Sequence, residues 1–516
     1  MQDDAQVSAS EPTAARGDGA ASEDVLRSSE AGGHVIRGGM VRAADYGAGV
    51  LLSVAISAIL LRHLGVEDFG RYGTIAAIAG IVLGVTDAGL TSIGAREIAL
   101  RPLGPERERI ASTLLVVRLV TTTIGVGIAI AFAAIAYTGP MTLGMALVGI
   151  SVILISLQSM ATVSLYVSLR FVSLTAFEVA RQAMTLIAIG LLALAGAGLL
   201  PFFAVQIPVA AILLVATLIY VRRSFAIGLV VDRALIREIA TKTLPMSAAV
   251  AMNILYLGAM VVVVSLIADE YETGLFVTSA RIMEVLILLP GITMNLALPV
   301  LSVASAEDHA RLGAALQKMV EVGFVVSTAI VVGIVVMAPA IVVLLGGDAY
   351  APAADILRLQ VLAVIGAFLT QTMQYALIAL HRQRDLIVAN AVALVCVLAG
   401  GAAATAAFGT SGAALVVVAA EVLLALAMWI ALHRAAPDVQ LHLRFALRLA
   451  AAVAAGLAIG LLVPLTAWIT GPLAVAVLLM LTLLLRVLPA ELFVAVAAPV
   501  MGQDGARDFI TRRYGT

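Results

Sequence analysis

Seven ionisable side chains stand inside long apolar stretches of this 516-residue chain: Asp87, Arg118, Glu178, Arg181, Arg281, Glu284 and Glu421. A charge at the centre of a membrane helix costs about 2.5–3.5 kcal/mol on insertion scales, so such residues face a bundle interior or a wet cavity and take partners. Arg281 and Glu284 lie three apart in SARIMEVLILLPGITMNLALPVLS (279–302), a spacing that puts both on one helix face. Arg281 is about eight residues into its span, expected over 273–301, so roughly 12 Å deep at the helical rise. Glu178 and Arg181 repeat the arrangement. Two roles fit each pair. One is a self-neutralised contact between helices. The other is a guanidinium gripping phosphate with a planar fork, a geometry that lysine lacks. Neither of the chain's two lysines lies deep in an apolar stretch.

Asp87 either partners Arg118 or lines a cavity, and Arg118 either snorkels to the inner surface or reaches cargo. Glu421 reads as a helix–helix contact. Asn253, Asn295, Gln371 and Gln374 are placed to hydrogen-bond sugar hydroxyls or one another. Pro290 and Gly291 interrupt the apolar run just beyond Arg281, as a hinge or a packing kink. The candidate binding set is Arg281, Glu284, Asp87, Arg118, Arg181, Asn253 and Asn295. No catalytic residue, cofactor or metal is expected. The single cysteine, Cys396, excludes a disulfide framework within one chain, and neither H-E-x-x-H nor a phosphate-binding G-x-x-x-x-G-K-S/T occurs.

The elements that must carry these residues are membrane helices. Hydrophobic residues make up 62% of the chain and charged ones 12%, about half the share in soluble domains. Runs of eighteen or more apolar residues recur, each able to cross a core of roughly 30 Å. With aromatics at 5% and no alternating strands, the pattern predicts an all-α polytopic bundle rather than a β-barrel. Fourteen spans are expected at 42–62, 72–95, 111–137, 142–168, 174–197, 200–221, 245–268, 273–301, 316–345, 354–380, 385–407, 412–432, 445–470 and 472–488. Residues 1–36, rich in Ala, Ser, Gly and acids, read as a disordered tail without a removable signal peptide.

Basic residues set the orientation. Arg96, Arg101, Arg107, Arg109, Arg170, Arg222, Arg223, Arg233, Arg237 and Lys242 fall in alternate loops, and Arg311, Lys318, Arg382, Arg384, Arg434 and Arg444 continue the pattern. The intervening loops are short and carry Asp269, Glu270, Glu272, Asp348 and Asp355. Both termini are therefore expected in the cytoplasm, with the protein in the cytoplasmic membrane. The chain also repeats. LGVEDFGRYGTIAAIAGIVLG (64–84) aligns with IADEYETGLFVTSARIMEVLI (267–287) at an offset of 204, matching Asp68 to Glu272, Gly70 to Gly274 and Tyr72 to Phe276. Spans 1–6 would match spans 7–12 as parallel repeats, with cargo between the halves and spans 13–14 an extra pair. The expected divisions are a tail to residue 36, bundles over 37–232 and 233–434, and the helix pair with a cytoplasmic tail over 435–516.

HLGVEDFGRYGTIAAIAGIVLGVTDAGLTSIGAREIA (63–99) resembles the second-helix signature of Wzx-type polysaccharide-biosynthesis flippases in the MOP superfamily. YETGLFVTSARIMEVLILLPGITMNLALPVLS (271–302) resembles their eighth helix, and YAPAADILRLQVLAVIGAFLTQTMQYALIALHRQRD (350–385) their tenth-helix region. The resemblance covers roughly residues 36–490. Fourteen spans suit the oligosaccharide and lipid II flippases of that superfamily better than its twelve-span MATE exporters. The first helix lacks the cavity arginines typical of the lipid II group. The resemblance implies a flippase for a polyprenyl-diphosphate-linked oligosaccharide, not an enzyme, with the glycan, the bilayer and polysaccharide polymerase or glycosyltransferase machinery as partners and no nucleic acid. The alternatives are a drug or metabolite antiporter, an assembly partner, or a membrane glycosyltransferase or polymerase. The last would need more room than outer loops of around ten residues provide.

Overall fold

Lipid offers no partner for a backbone N–H or C=O, so an apolar stretch long enough to cross it closes its hydrogen bonds internally as helix. The structure, a computed structural model, describes residues 29–99, 105–167, 170–221, 232–307, 309–437, 439, 444–485 and 487. Among the described residues it is helical throughout, with no strand. Eleven segments are long and apolar enough to cross a membrane. Two of these, Gly49–Asp87 and Gln383–Ala435, are each divided by a glycine at positive φ: Gly65 at 75° and Gly409 at 61°. With these two divided, and helix Glu270–Glu307 in the expected place of span 8, the helices are numbered as spans 1 to 14 below. The protein is a multi-pass helical membrane protein.

Spans 1 and 2 are the arms of helix Ser29–Asp87 on either side of Gly65. Spans 3 to 5 are Pro105–Ala136, Gly139–Val167 and Phe171–Leu194, and span 6 runs through Leu199–Ala204 and Gln206–Val221. Spans 7 to 9 are Arg233–Ile267, Glu270–Glu307 and His309–Gly346, and span 10 comprises Ala353–Gln360 and Ala363–Ala379. Helix Gln383–Val395, a π turn over Cys396–Gly400 and helix Gly401–Ala435 make spans 11 and 12, and Arg444–Leu462 and Ala467–Leu484 are spans 13 and 14.

Four boundaries differ from expectation. The first helix begins at Ser29, inside the stretch expected to be a tail, while residues 1–28 lie outside the described residues. Span 2 ends at Asp87, where Ala88 and Gly89 turn the chain with φ of 30° and 83° into a separate helix, Leu90–Ala99. Span 13 stops at Leu462 because Val463 precedes Pro464, and proline bars its predecessor from helical dihedrals. Span 14 then starts at Ala467, after extended Thr466, rather than at Pro472. Pro290 and Gly291 do not interrupt span 8, which continues as helix through both.

The contact pattern separates Met1–Ser53 from Val54–Thr516. The first unit is described only over 29–53, as helix; every site residue below belongs to the second. Within that unit, Ile75, Ile78 and Val82 of span 2 pack with Val126, Ala133, Met145, Val152 and Phe203 in the N-terminal half. Tyr256, Val264, Leu357, Val364, Ala413 and Leu424 anchor the larger core of the C-terminal half. Spans 13 and 14 lie on span 9 through Val332, Val336, Ala474 and Leu478. Apolar side chains gain little by leaving lipid, so these interfaces rest on close packing.

The two halves meet where the repeat predicts symmetry. A Cβ added to Gly70 of span 2 would lie 2.7 Å from the Gly274 nitrogen and 2.9 Å from the Glu270 carbonyl oxygen. A Cβ added to Gly274 of span 8 would run into the Val66 carbonyl oxygen. Residues 66 and 270 are themselves 204 apart, so the contact is reciprocal. The threonine one turn further on behaves alike in both copies: Thr74 Oγ1 donates to the Gly70 carbonyl at 2.9 Å, and Thr278 Oγ1 to the Gly274 carbonyl at 2.7 Å.

Candidate functional site

Span 8 reads inward from this crossing as a ladder of contacts with the N-terminal half. Its first turn carries Glu270, paired with Arg71 of span 2. Gly274 then meets Val66 and Gly70, and Val277 fills the space over Gly73. Next comes Arg281, whose Nε donates to Ser57 Oγ of span 1 at 3.2 Å. Arg281 Nη1 also bonds Glu284 Oε2 at 2.5 Å. The two side chains retain 43% and 63% exposure on a span that packs between the halves. An arginine with a half-exposed head can receive an anion by exchanging it for the Glu284 carboxylate.

The end carrying Arg71 and Glu270, expected on the outside from the sequence and called the outer end below for brevity, is closed by further bonds between the halves. Arg62 of span 1 donates to the last carbonyls of span 9, Leu344 at 2.7 Å and Leu345 at 3.2 Å, where a cation also meets the negative end of the helix dipole. Tyr350 Oη donates to the Leu61 carbonyl at 2.9 Å, and the Tyr137 and Ser265 hydroxyls bond at 2.7 Å.

The other candidates fall into separate groups. Arg118 is 1% exposed: its Nε donates to Ser156 Oγ at 2.7 Å and its Nη1 lies 3.1 Å from Asp87 Oδ1. Thr122 bonds Ser156, and Thr91 donates to Asp87 at 2.5 Å. Arg118 and Asp87 therefore form a tie among spans 2, 3 and 4, enclosed at the arginine and 33% exposed at the aspartate. Of the expected arrangements, this is the one in which Asp87 partners Arg118, and the arginine turns sideways into hydroxyls that the sequence scatters over neighbouring helices. Arg181 is paired with Glu178 within span 5, Nε to Oε2 at 3.1 Å with a second bond at Nη2, and Gln182 donates to the same carboxylate. Asn253 donates to Asn390 of span 11 at 3.2 Å, a link within the C-terminal half. The side chain of Asn295 lies outside the described residues. Glu421, 5% exposed, accepts from Tyr256 Oη at 2.7 Å and Thr370 Oγ1 at 3.2 Å, which joins spans 7, 10 and 12 as expected of a helix–helix contact.

Residue types alone overlooked Ser57 and the Arg71–Glu270 pair as parts of the site. The repeat held the usable signal: matched glycines at 70 and 274 marked where two backbones could touch. No group of three or more His, Cys, Asp or Glu able to hold a metal occurs among the described residues.

A sequence profile described as "Polysaccharide biosynthesis protein" matches residues 59–355, more than half of the chain. The chain belongs to this family. No curated protein matches it. Among solved structures, this family member is similar to "Lipid II flippase MurJ, inward closed conformation", at TM-score 0.72 and 12% identity over 87% of this chain and 99% of that one. It is also similar to an inward-facing multidrug resistance MATE family transporter of the MOP superfamily, at TM-score 0.61 and 13% identity over 75% and 94% of the two chains. For an outward-facing MATE structure the values are 0.51 and 14%, over 77% and 96%. At these identities the likeness speaks for the fold, and polysaccharide-biosynthesis family membership rests on the profile.

Proposed function

We propose that the protein is a flippase for a polyprenyl-diphosphate-linked oligosaccharide in cell-surface polysaccharide synthesis. It would act in the cytoplasmic membrane with both termini in the cytoplasm, by alternating access between bundles 37–232 and 233–434. The observation that carries this reading is the position of Arg281. It sits just inward of the Gly70–Gly274 crossing, half-exposed between the halves, and held by Ser57 and Glu284. A diphosphate would displace Glu284 from the guanidinium, the glycan would occupy the space between the halves, and the lipid tail would remain in the bilayer. Carrying a charge near −2 out of a negative interior runs downhill by roughly 4–5 kcal/mol per 100 mV, so the charge itself needs no cation gradient.

The test is flipping of a polyprenyl-diphosphate-linked glycan in proteoliposomes by wild type, Arg281→Ala and Arg281→Lys at matched insertion. Loss of flux with Ala and poor rescue by Lys is the expected result, since a point charge cannot replace the fork. Equal flux in all three would refute the diphosphate clamp.

A further inference from the structure

Arg281 has a counterpart on the other side of the crossing. Arg71 follows Gly70 directly and lines a cavity of about 400 Å³ at the outer end with Leu64, Gly65, Val66, Glu67, Asp68 and Tyr271. Arg281 lies seven residues beyond Gly274, roughly 10 Å further inward at the helical rise. Two guanidiniums thus straddle the point where the halves touch. Both reach the opposite half, Arg281 through Ser57, but their carboxylate partners differ in one respect. Glu284 belongs to the same helix as Arg281 and travels with it, whereas Arg71 binds Asp68 of its own helix at 2.5 Å and Glu270 of the opposite half. Parting the halves at the outer end must break the Arg71–Glu270 pair while leaving Arg71–Asp68 intact.

Resting on the flippase reading, we propose that Arg71 is the release-side anion subsite for the diphosphate, vacated and refilled by Glu270. When the outer end opens, Arg71 keeps one carboxylate and gains room for a phosphate arriving from Arg281. When it closes, Glu270 returns and competes the phosphate off. Closure and release are then one event, because the group that seals the outer end is the group that displaces the anion. Glu67, Asp68 and Glu270 around a single arginine make the subsite weak for a dianion, which suits a position of departure over one of storage.

The test measures binding of inorganic pyrophosphate to the purified full-length chain by thermal-shift titration. An Arg281→Ala background removes the inner arginine from the readout. Adding Glu270→Gln should tighten pyrophosphate binding about three- to fivefold, the span expected for losing a partly exposed competing ion pair. Glu270→Asp, with a shorter reach, should fall between and covers the case of poor folding by the glutamine variant. Adding Arg71→Gln to either should abolish the gain. Equal binding with and without Glu270→Gln, or a gain that survives Arg71→Gln, would overturn the proposal. Because this readout needs no glycolipid, it fails separately from the flippase reading, which the flipping assay of the wild type decides.

Discussion

Gly70 and Gly274 occupy equivalent places in the two repeats and each packs against the backbone that precedes the other, Gly70 on Glu270 and Gly274 on Val66. Such a contact lies on the axis relating the halves, and the atoms nearest each glycine are backbone, which cannot rotate out of the way as a side chain can. Alanine at either position therefore forces the outer ends apart. Spin labels at Glu67 and Tyr271 in a Cys396→Ser chain should show a mean distance longer by about 1 Å or more in Gly274→Ala, since apolar contacts settle near 3.5–4.0 Å. An unchanged distribution would mean that the crossing accommodates a methyl group.

Arg118 and Arg181 look alike in sequence, each an arginine in an apolar helix, yet their surroundings predict opposite outcomes. Removing Arg118 takes a buried donor from Ser156, while Asp87, 33% exposed, keeps the bond from Thr91. Arg118→Ala should therefore lose about 1–3 kcal/mol, the range for leaving buried polar groups without their partners. Thermal or denaturant unfolding in detergent reads this directly, and a loss below 1 kcal/mol would contradict the enclosed tie.

Arg181→Ala removes an i, i+3 pair whose members are 33% and 53% exposed. Its cost should stay within about 1 kcal/mol. If flux of the lipid-linked glycan also stays at the wild-type level, the pair only neutralises itself. A large loss of flux at normal stability would return Arg181 to the cargo path.

Glu421 is tied by two hydroxyls, and glutamine reproduces both bonds by accepting from Tyr256 and donating to Thr370. Glu421→Gln should hold stability within about 1 kcal/mol, and Glu421→Leu should lose about 1–3 kcal/mol by leaving the Tyr256 hydroxyl without its acceptor. Normal stability with abolished flux in Glu421→Gln would show that the acid itself, and not its hydrogen bonds, is required.

The all-helical character, the order of the helices and the pairs Arg281–Glu284 and Glu178–Arg181 were legible from residue order alone. Those follow from short-range rules: a backbone in lipid must close its bonds as helix, and residues three apart share a helix face. Which helices exchange contacts was not legible. Asp87 pairs with Arg118, Asn253 with Asn390, and Ser57 meets Arg281 from 224 positions away. Lipid and protein interior are equally apolar, so composition does not mark which face of a membrane helix meets which. That choice is made by backbones close enough to touch, as at Gly70 and Gly274, and by hydroxyls brought within reach once they do.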